Sequence, residues 1–326
     1  MFNKKIISLM LVIVLASGML LAVSNQANAG LFDWLGGDKK KEEQTETKQK
    51  QEKDKQETKA NKPADWPDKI KLGAVPTENA MSLSTKLEPL VNYLEDELGV
   101  EVEIFHATDY RGVIEALRFG KIDIAKLGPK SYIEAKDNYG KVEPIVKFIS
   151  NTGSPGYRSC LIASTGTGIY SPEDAKGAEF AFNDPNSTSG YLVPMTLFLQ
   201  KMKVKPKEYF SKVTFSGSHE ASIIAVANSN VEVASTNLNA IKRAENDGQI
   251  EDEDLNVIWV SDLIPNDPFV VRSELPDSFK TALQDSFANV DQEAISEFLW
   301  SGFQKVDDAH YQPVRDLNNL KKQLDK

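Results

Sequence analysis

The chain has 326 residues, with 38 basic and 48 acidic side chains and a formal net charge of −10. That balance excludes a nucleic-acid partner, because no net basic surface is available to replace counterions on phosphates. The single cysteine, Cys160, excludes an intrachain disulfide, and with only three histidines beside it no metal site of the usual Cys/His kind and no cofactor is expected.

The N-terminus reads as an export address. Lys4 and Lys5 precede an uncharged run from Ile6 to Val23, and Ala27-Asn28-Ala29 has the small-x-small pattern of a signal-peptidase site. Residues 1–29 are therefore expected to be a signal peptide, with an uncleaved signal anchor as the alternative, since the apolar run approaches spanning length. Leu31, Phe32, Trp34 and Leu35 form a short sticky stub. Asp38 to Lys62 holds nine lysines and seven acids and no residue able to build a core. Residues 30–65 are read as a solvated polar linker.

From Trp66 the pattern becomes that of an α/β protein. Lys69–Val75 reads as a strand, and Leu83, Leu87, Leu90, Val91, Leu94 and Leu98 recur at helical spacing up to Gly99. Val100–His106 alternates as a strand, Asp109 caps a helix through Phe119, Ile122–Leu127 is a strand and Ser131–Asn138 a short helix. A second run of the same kind has strands at Tyr157–Ser164, Ala178–Asn183, Lys212–Ser216 and Val231–Ser235, with helices at Gly190–Met202 and Glu220–Asn228. Val257–Ser261 and Phe269–Val271 run the chain back, and Pro276 to Lys326 is expected to be mostly helical. The expected architecture is two α/β lobes, residues 66–153 with 268–326 and residues 154–267, joined by a double crossing. Each would be a mixed, mostly parallel sheet flanked by helices, with ligand bound in the cleft at strand ends.

The densest polar cluster is Asp184-Pro185-Asn186-Ser187-Thr188-Ser189-Gly190, between a strand and a helix. One helix cap needs one hydroxyl. Three in a row, beside the unpaired amides and positive dipole end of a helix, point to an oxyanion site that needs no lysine or arginine. Ser216-Gly217-Ser218-His219-Glu220 opens a second helix, where His219 is placed to donate to the same anion. Tyr110 follows a strand, Tyr157 lies at the first crossing, and Asp267 lies at the return crossing.

In combination, SPGY (154–157), DPNSTSG (184–190), SGSHEA (216–221), AVAN (225–228) and LIPNDP (263–268) resemble the phosphonate/phosphite substrate-binding proteins of ABC importers. DYRGVIEALRFGKIDIA (109–125) and LGPKSY (127–132) fit the same pattern, and the resemblance spans the body after Trp66. It implies the two-lobed periplasmic binding-protein fold of the second type, closing on ligand about its double-crossover hinge. Ser187, Thr188 and Ser189 would then bind phosphoryl oxygens, with His219, Tyr157 and Tyr110 as further donors. Asp267, Asn239, Ser131 and Tyr132 complete the expected ligand contacts. A carboxylate at Asp267 beside an anion suggests a ligand carrying a P–OH proton or an amine. Binders of 2-aminoethylphosphonate in this family carry an acidic residue in the segment matching 234–239, where this chain has Asn239, which favours phosphite, methylphosphonate or a related ligand without a basic group.

The expected protein is an extracytoplasmic monomer that hands its ligand to permease subunits. The alternatives are a ligand-sensing partner of a membrane receptor, or a 2-aminoethylphosphonate or phosphate binder on the same fold. An enzyme built on Ser187 and His219 is disfavoured, because the sequence has no GxSxG elbow and no evident pair of catalytic carboxylates.

Overall fold

The computed structural model describes residues 62–325. The expected signal peptide and almost all of the linker lie outside the described residues. Strand β1 (Lys69–Ala74) leads into helix α1 (Ala80–Leu98), whose start is fixed by Asn79, its side chain accepting from the amides of Met81 and Ser82. The leucines at helical spacing form its buried face, and Gly99 ends it in the left-handed conformation that only glycine adopts freely. Strand β2 (Glu101–Phe105), helix α2 (Tyr110–Arg118), strand β3 (Ile124–Lys126) and helix α3 (Pro129–Tyr139) follow. Asp109 caps α2 by accepting from Gly112 N at 2.7 Å.

β1 pairs in parallel with both β2 and β3, as a βαβαβ unit requires. Three further strands join this sheet: β4 (Val142–Ser150), β10 (Pro268–Arg272) and β11 (Trp300–Lys305). Its order is β11-β4-β10-β3-β1-β2. The second sheet holds β5 (Gly156–Ser164), β6 (Glu179–Phe182), β7 (Lys212–Phe215), β8 (Val233–Asn237) and β9 (Leu255–Pro265), in the order β7-β6-β8-β5-β9. Among the described strands, four of the nine neighbouring pairs are parallel and five antiparallel. The sheets are thus more evenly mixed than expected, because the strands next to the crossings return antiparallel.

Each sheet has a buried cluster on both faces. In the first, the α1 leucines pack with Phe269, Phe279 and Phe287 on one side, and Tyr110, Val113, Ile122 and Tyr311 fill the other. In the second, Phe180, Phe182, Phe198 and Phe210 form an aromatic cluster opposite Cys160, Ile162, Ile223 and Val226. Cys160 is a buried packing residue, its thiol raised by that burial. Helix α4 (His219–Ala227), helix α5 (Leu238–Asn246), helix α6 (Asp277–Ala288) and helix α7 (Gln312–Leu324) complete the layers.

The chain passes between the sheets twice, at residues 151–155 and 266–267. The crossing strands run close together: a side chain at Gly156 would place its Cβ 2.2 Å from the Ile264 carbonyl oxygen. Asn266 Nδ2 donates to Phe148 O at 3.1 Å and Tyr311 Oη donates to Asn266 O at 3.1 Å, which pins the return crossing. Among the described residues, no helix is long and apolar enough to cross a membrane.

Candidate ligand-binding site

Between the two sheets lies a cavity with about 60 Å³ open to water-sized occupants. At roughly 10–15 Å³ per water, that is room for about four to six non-hydrogen atoms of ligand.

The second sheet supplies its floor. After β6 the chain turns at Asp184, whose carboxylate accepts from Asn186 N at 2.7 Å and whose carbonyl accepts from Ser187 N at 2.9 Å. Ser187 Oγ then accepts from Gly190 N at 2.9 Å, so this hydroxyl is the helix cap and keeps its own proton to donate. The helix begins as a π turn, Thr188–Leu192, with Leu192 N bonded back five residues to Ser187 O at 3.1 Å. Gly190 is required there, because a Cβ would sit 2.2 Å from the Asn183 Cβ. The amides of Thr188 and Ser189 lead the helix and have no partner within it. Thr188 Oγ1 accepts from Lys130 N at 2.8 Å, and Ser131 Oγ donates to Asn186 O at 2.9 Å, so the start of α3 braces this turn from the other sheet.

His219 opens α4 behind Ser218, which caps the helix by accepting from Ala221 N at 3.0 Å. Its Nε2 is 3.4 Å from Ser189 Oγ and its Nδ1 is 3.1 Å from Thr236 Oγ1. Burial, with Arg243 and Lys126 adding to it, lowers its pKa to about 3. The imidazole is therefore neutral at physiological pH and offers a single N–H. Asn237 Oδ1 caps α5 through Ala240 N at 2.9 Å, while its Nδ2 lies 3.5 Å from Ser189 Oγ.

Two phenols close the cavity. Tyr110 is buried and its Oη has no hydrogen-bond partner, a donor left over for a ligand. Tyr157 is buried beside Thr188 and Ser189. Burial holds both phenols protonated, far above the ordinary tyrosine range, and the Asp184 and Asp267 carboxylates push Tyr110 further the same way.

The structure brings eight of the ten expected contacts to this cavity: Tyr110, Tyr157, Ser187, Thr188, Ser189, His219, Asn239 and Asp267 line it. Ser131 and Tyr132 do not. Ser131 spends its hydroxyl on the Asn186 carbonyl, and Tyr132 Oη donates to Asp308 Oδ1 at 2.6 Å, because α3 packs toward the 186–188 turn and toward residue 308. The reading of Asp267 is corrected as well. Lys126 Nζ lies 3.0 Å from its Oδ2, with both side chains largely buried. The carboxylate is compensated within the protein, so it does not require a proton or an amine on the ligand.

Sequence reasoning missed Lys126 and Arg243, both of which line the cavity. A lysine inside the apolar run Ile122–Leu127 was a usable sign, since a buried ammonium needs a counter-ion. Arg243 sits on α5, a helix the sequence reading did not place. Among the described residues no group of His, Cys, Asp and Glu is arranged to hold a metal ion.

Hydroxyls at a helix start, a neutral imidazole and two protonated phenols around a small cavity form a receptor for an oxyanion. The comparisons agree with that geometry. Residues 72–311 match the family model described as ABC transporter, phosphonate, periplasmic substrate-binding protein. The phosphonates-binding periplasmic protein of Escherichia coli K12 is 34% identical over 257 residues, covering 76% of this chain and 75% of that one. The crystal structure of a binding protein component of an ABC phosphonate transporter from Pseudomonas aeruginosa superposes with a TM-score of 0.75 at 37% identity, covering 79% of this chain and 87% of that one. PhnD1 from Prochlorococcus marinus, solved in complex with methylphosphonate, shares the fold at 22% identity with a TM-score of 0.72, covering 78% of this chain and 98% of that one. The family is one of transporter substrate-binding proteins rather than enzymes, which fits a site rich in donors. On sequence, fold and the chemistry of its cavity, the chain belongs to the phosphonate periplasmic substrate-binding proteins of ABC transporters.

Proposed function

We propose that this chain captures phosphite or a simple phosphonate such as methylphosphonate between its two sheets and delivers it to the permease subunits of an importer. The observation that carries this reading is the unpartnered Tyr110 phenol, buried opposite three hydroxyls in a cavity of about 60 Å³. A phosphorus centre with three oxygens and a hydrogen or methyl has four or five non-hydrogen atoms and fills that space. Ser187, Thr188, Ser189, His219, Tyr157 and Tyr110 would divide the oxygens among them, and Asp267 with Lys126 would face them as a compensated pair.

Lobes of residues 66–153 with 268–326 and of residues 154–267 would close about the two crossings. Ligand would favour closure because donors from both sides reach it only then. Contacts across the cleft support this: Lys86 Nζ lies 2.8 Å from Asp247, and Asn79 N donates to Glu220 Oε2 at 2.6 Å. Residues 1–29 would direct export, residues 30–65 would tether the body as a linker, and the mature protein would act as an extracytoplasmic monomer.

Calorimetry on the purified chain with phosphite, methylphosphonate, phosphate, sulfate and 2-aminoethylphosphonate tests the reading. Tightest binding is expected for phosphite or methylphosphonate. Tighter binding of 2-aminoethylphosphonate, or no binding of any phosphorus oxyanion, would overturn it.

A further inference from the structure

Not every charge at the cavity has a direct partner. Two carboxylates line it, and each is engaged by a lysine: Asp267 by Lys126 at 3.0 Å, and Glu78 by Lys86 at 2.7 Å, a lysine it shares with Asp247 at 2.8 Å. The remaining charged side chain lining the cavity is Arg243, half-buried, and among the described residues its guanidinium has no ion pair and no hydrogen bond. It lies on α5 four residues after Asn239, so the two share one face of the helix, and both line the cavity. The rest of α5 explains why that face is turned inward to the cleft: Ala240, Ile241 and Ala244 bury its neighbouring face against the second sheet. The field of Arg243 reaches the phosphoryl end of the site, since it acts on both Tyr110 and His219.

We propose that Arg243 is a specificity-determining residue of the cleft: its uncompensated guanidinium keeps the wall beside Asn239 electropositive, so the site admits phosphorus oxyanions with a neutral substituent and rejects those bearing an ammonium group. This rests on the reading of the cavity as a phosphorus-oxyanion site and adds the residue that sets its selectivity by charge. An arginine is suited to the task because it stays charged at any physiological pH. A cationic ligand tail reaching that wall would meet a like charge with no free carboxylate to offset it, which is rejection by repulsion as well as by absence of a partner.

The position of Asn239 sharpens the test. A carboxylate placed there by Asn239→Asp would lie one helical turn from Arg243 and would be neutralised by it. Asn239→Asp alone should therefore leave 2-aminoethylphosphonate nearly as poor a ligand as before. Arg243→Gln should weaken methylphosphonate about tenfold, the usual cost of losing a charge-assisted contact. It should also shrink the preference for methylphosphonate over 2-aminoethylphosphonate by about tenfold or more. The double variant Asn239→Asp/Arg243→Gln should shrink that preference most, by more than the two single effects combined. Arg243→Lys, which keeps the charge, should retain the wild-type preference, and thermal unfolding of each variant confirms that it is folded.

Calorimetry with methylphosphonate and 2-aminoethylphosphonate on these four variants decides the matter. If the wild-type chain binds methylphosphonate but Arg243→Gln shows the same affinity and the same preference, the role of Arg243 is overturned while the oxyanion site stands. If the wild-type chain binds neither methylphosphonate nor phosphite, both fall. An equal gain of 2-aminoethylphosphonate binding in Asn239→Asp and in the double variant would also overturn the proposal, because Arg243 would then not be the neutralising group.

Discussion

The two walls of the cavity solve the same problem with different materials. The wall from the second sheet offers mainly dipoles: the hydroxyl of Ser187, the leading amides of the 188–202 helix and a neutral His219, with Arg243 as its one charge among the described residues. The wall from the first sheet offers charges already paired off, Lys126 with Asp267 and Lys86 with Glu78. A dipolar wall tolerates loss of one member, because each donor contributes alone. A paired-charge wall does not, because removing one partner exposes the other. This difference ranks the expected effects of mutation.

Lys126→Met should be the most damaging. It leaves Asp267 as an uncompensated carboxylate in a buried place, at a cost of about 3–5 kcal/mol, and turns that carboxylate against the anion. Chemical denaturation should show the loss, and the double variant Lys126→Met/Asp267→Asn should recover most of it. Equal stability of the single and double variants would erase the contrast between the walls. On the dipolar side, Ser187→Ala and Thr188→Ala should each weaken ligand binding by about 1–3 kcal/mol. Ser187→Ala should in addition lower the unfolding free energy by about 0.5–2 kcal/mol, because the cap of Gly190 N is lost with it. Unchanged affinity in both would remove the hydroxyls from the site.

His219 gives a pH signature. Its pKa is held down to about 3 in the folded chain, while in the unfolded chain it takes a proton near pH 6.5. Between those values the unfolded state binds the extra proton, so stability present above pH 6.5 is lost as pH falls toward 3, by up to about 1.4 kcal/mol per pH unit. Thermal unfolding from pH 7.5 to 4.5 should show a steeper acid decline for the native chain than for His219→Gln. The smallest effect concerns salt. Buried dipoles and compensated pairs are screened little and Arg243 is the one unpaired charge at the cavity among the described residues, so affinity should fall by less than about tenfold between 50 mM and 500 mM salt. A steep rise would mean that repulsion of the anion by the acidic body, which salt screens, governs capture rather than the cavity wall.

What the sequence disclosed follows the same division. The hydroxyl cluster was legible because its donors are adjacent in the chain and end at a glycine. The alternating runs at β1 and β2 and the leucine spacing of α1 were legible because period alone determines them. Strand β4 escaped because it carries Pro144 and has no alternation; the proline is accommodated beside an irregularity where β10 shifts register between Phe269 and Val270. Strand β11 escaped for a similar reason, with Gly302 in the middle of six residues at a sheet edge. The pairing of Lys126 with Asp267 joins positions 141 apart, and no local pattern announces such a contact. Helix α5 buries only Ala240, Ile241 and Ala244, a stripe too slight to stand out, and Arg243 was missed with it.

The helix that carries the hydroxyls has π turns at both ends, Thr188–Leu192 and Leu197–Met202, around a short α stretch at Val193–Thr196. A π turn holds one residue more than an α turn spans. Deleting one residue from a π turn, such as Tyr191, would restore α geometry with the hydroxyls still in phase with the core, whereas adding a residue to the α stretch 193–196 would swing everything before it by about 100° relative to the core-facing Leu197 and Phe198. The binding turn and the core are thus kept in phase by chain length as well as by side-chain identity. A one-residue insertion in 193–196 should abolish capture while every hydroxyl is retained, whereas an insertion or deletion in the solvent-exposed loop at 165–168 should be silent.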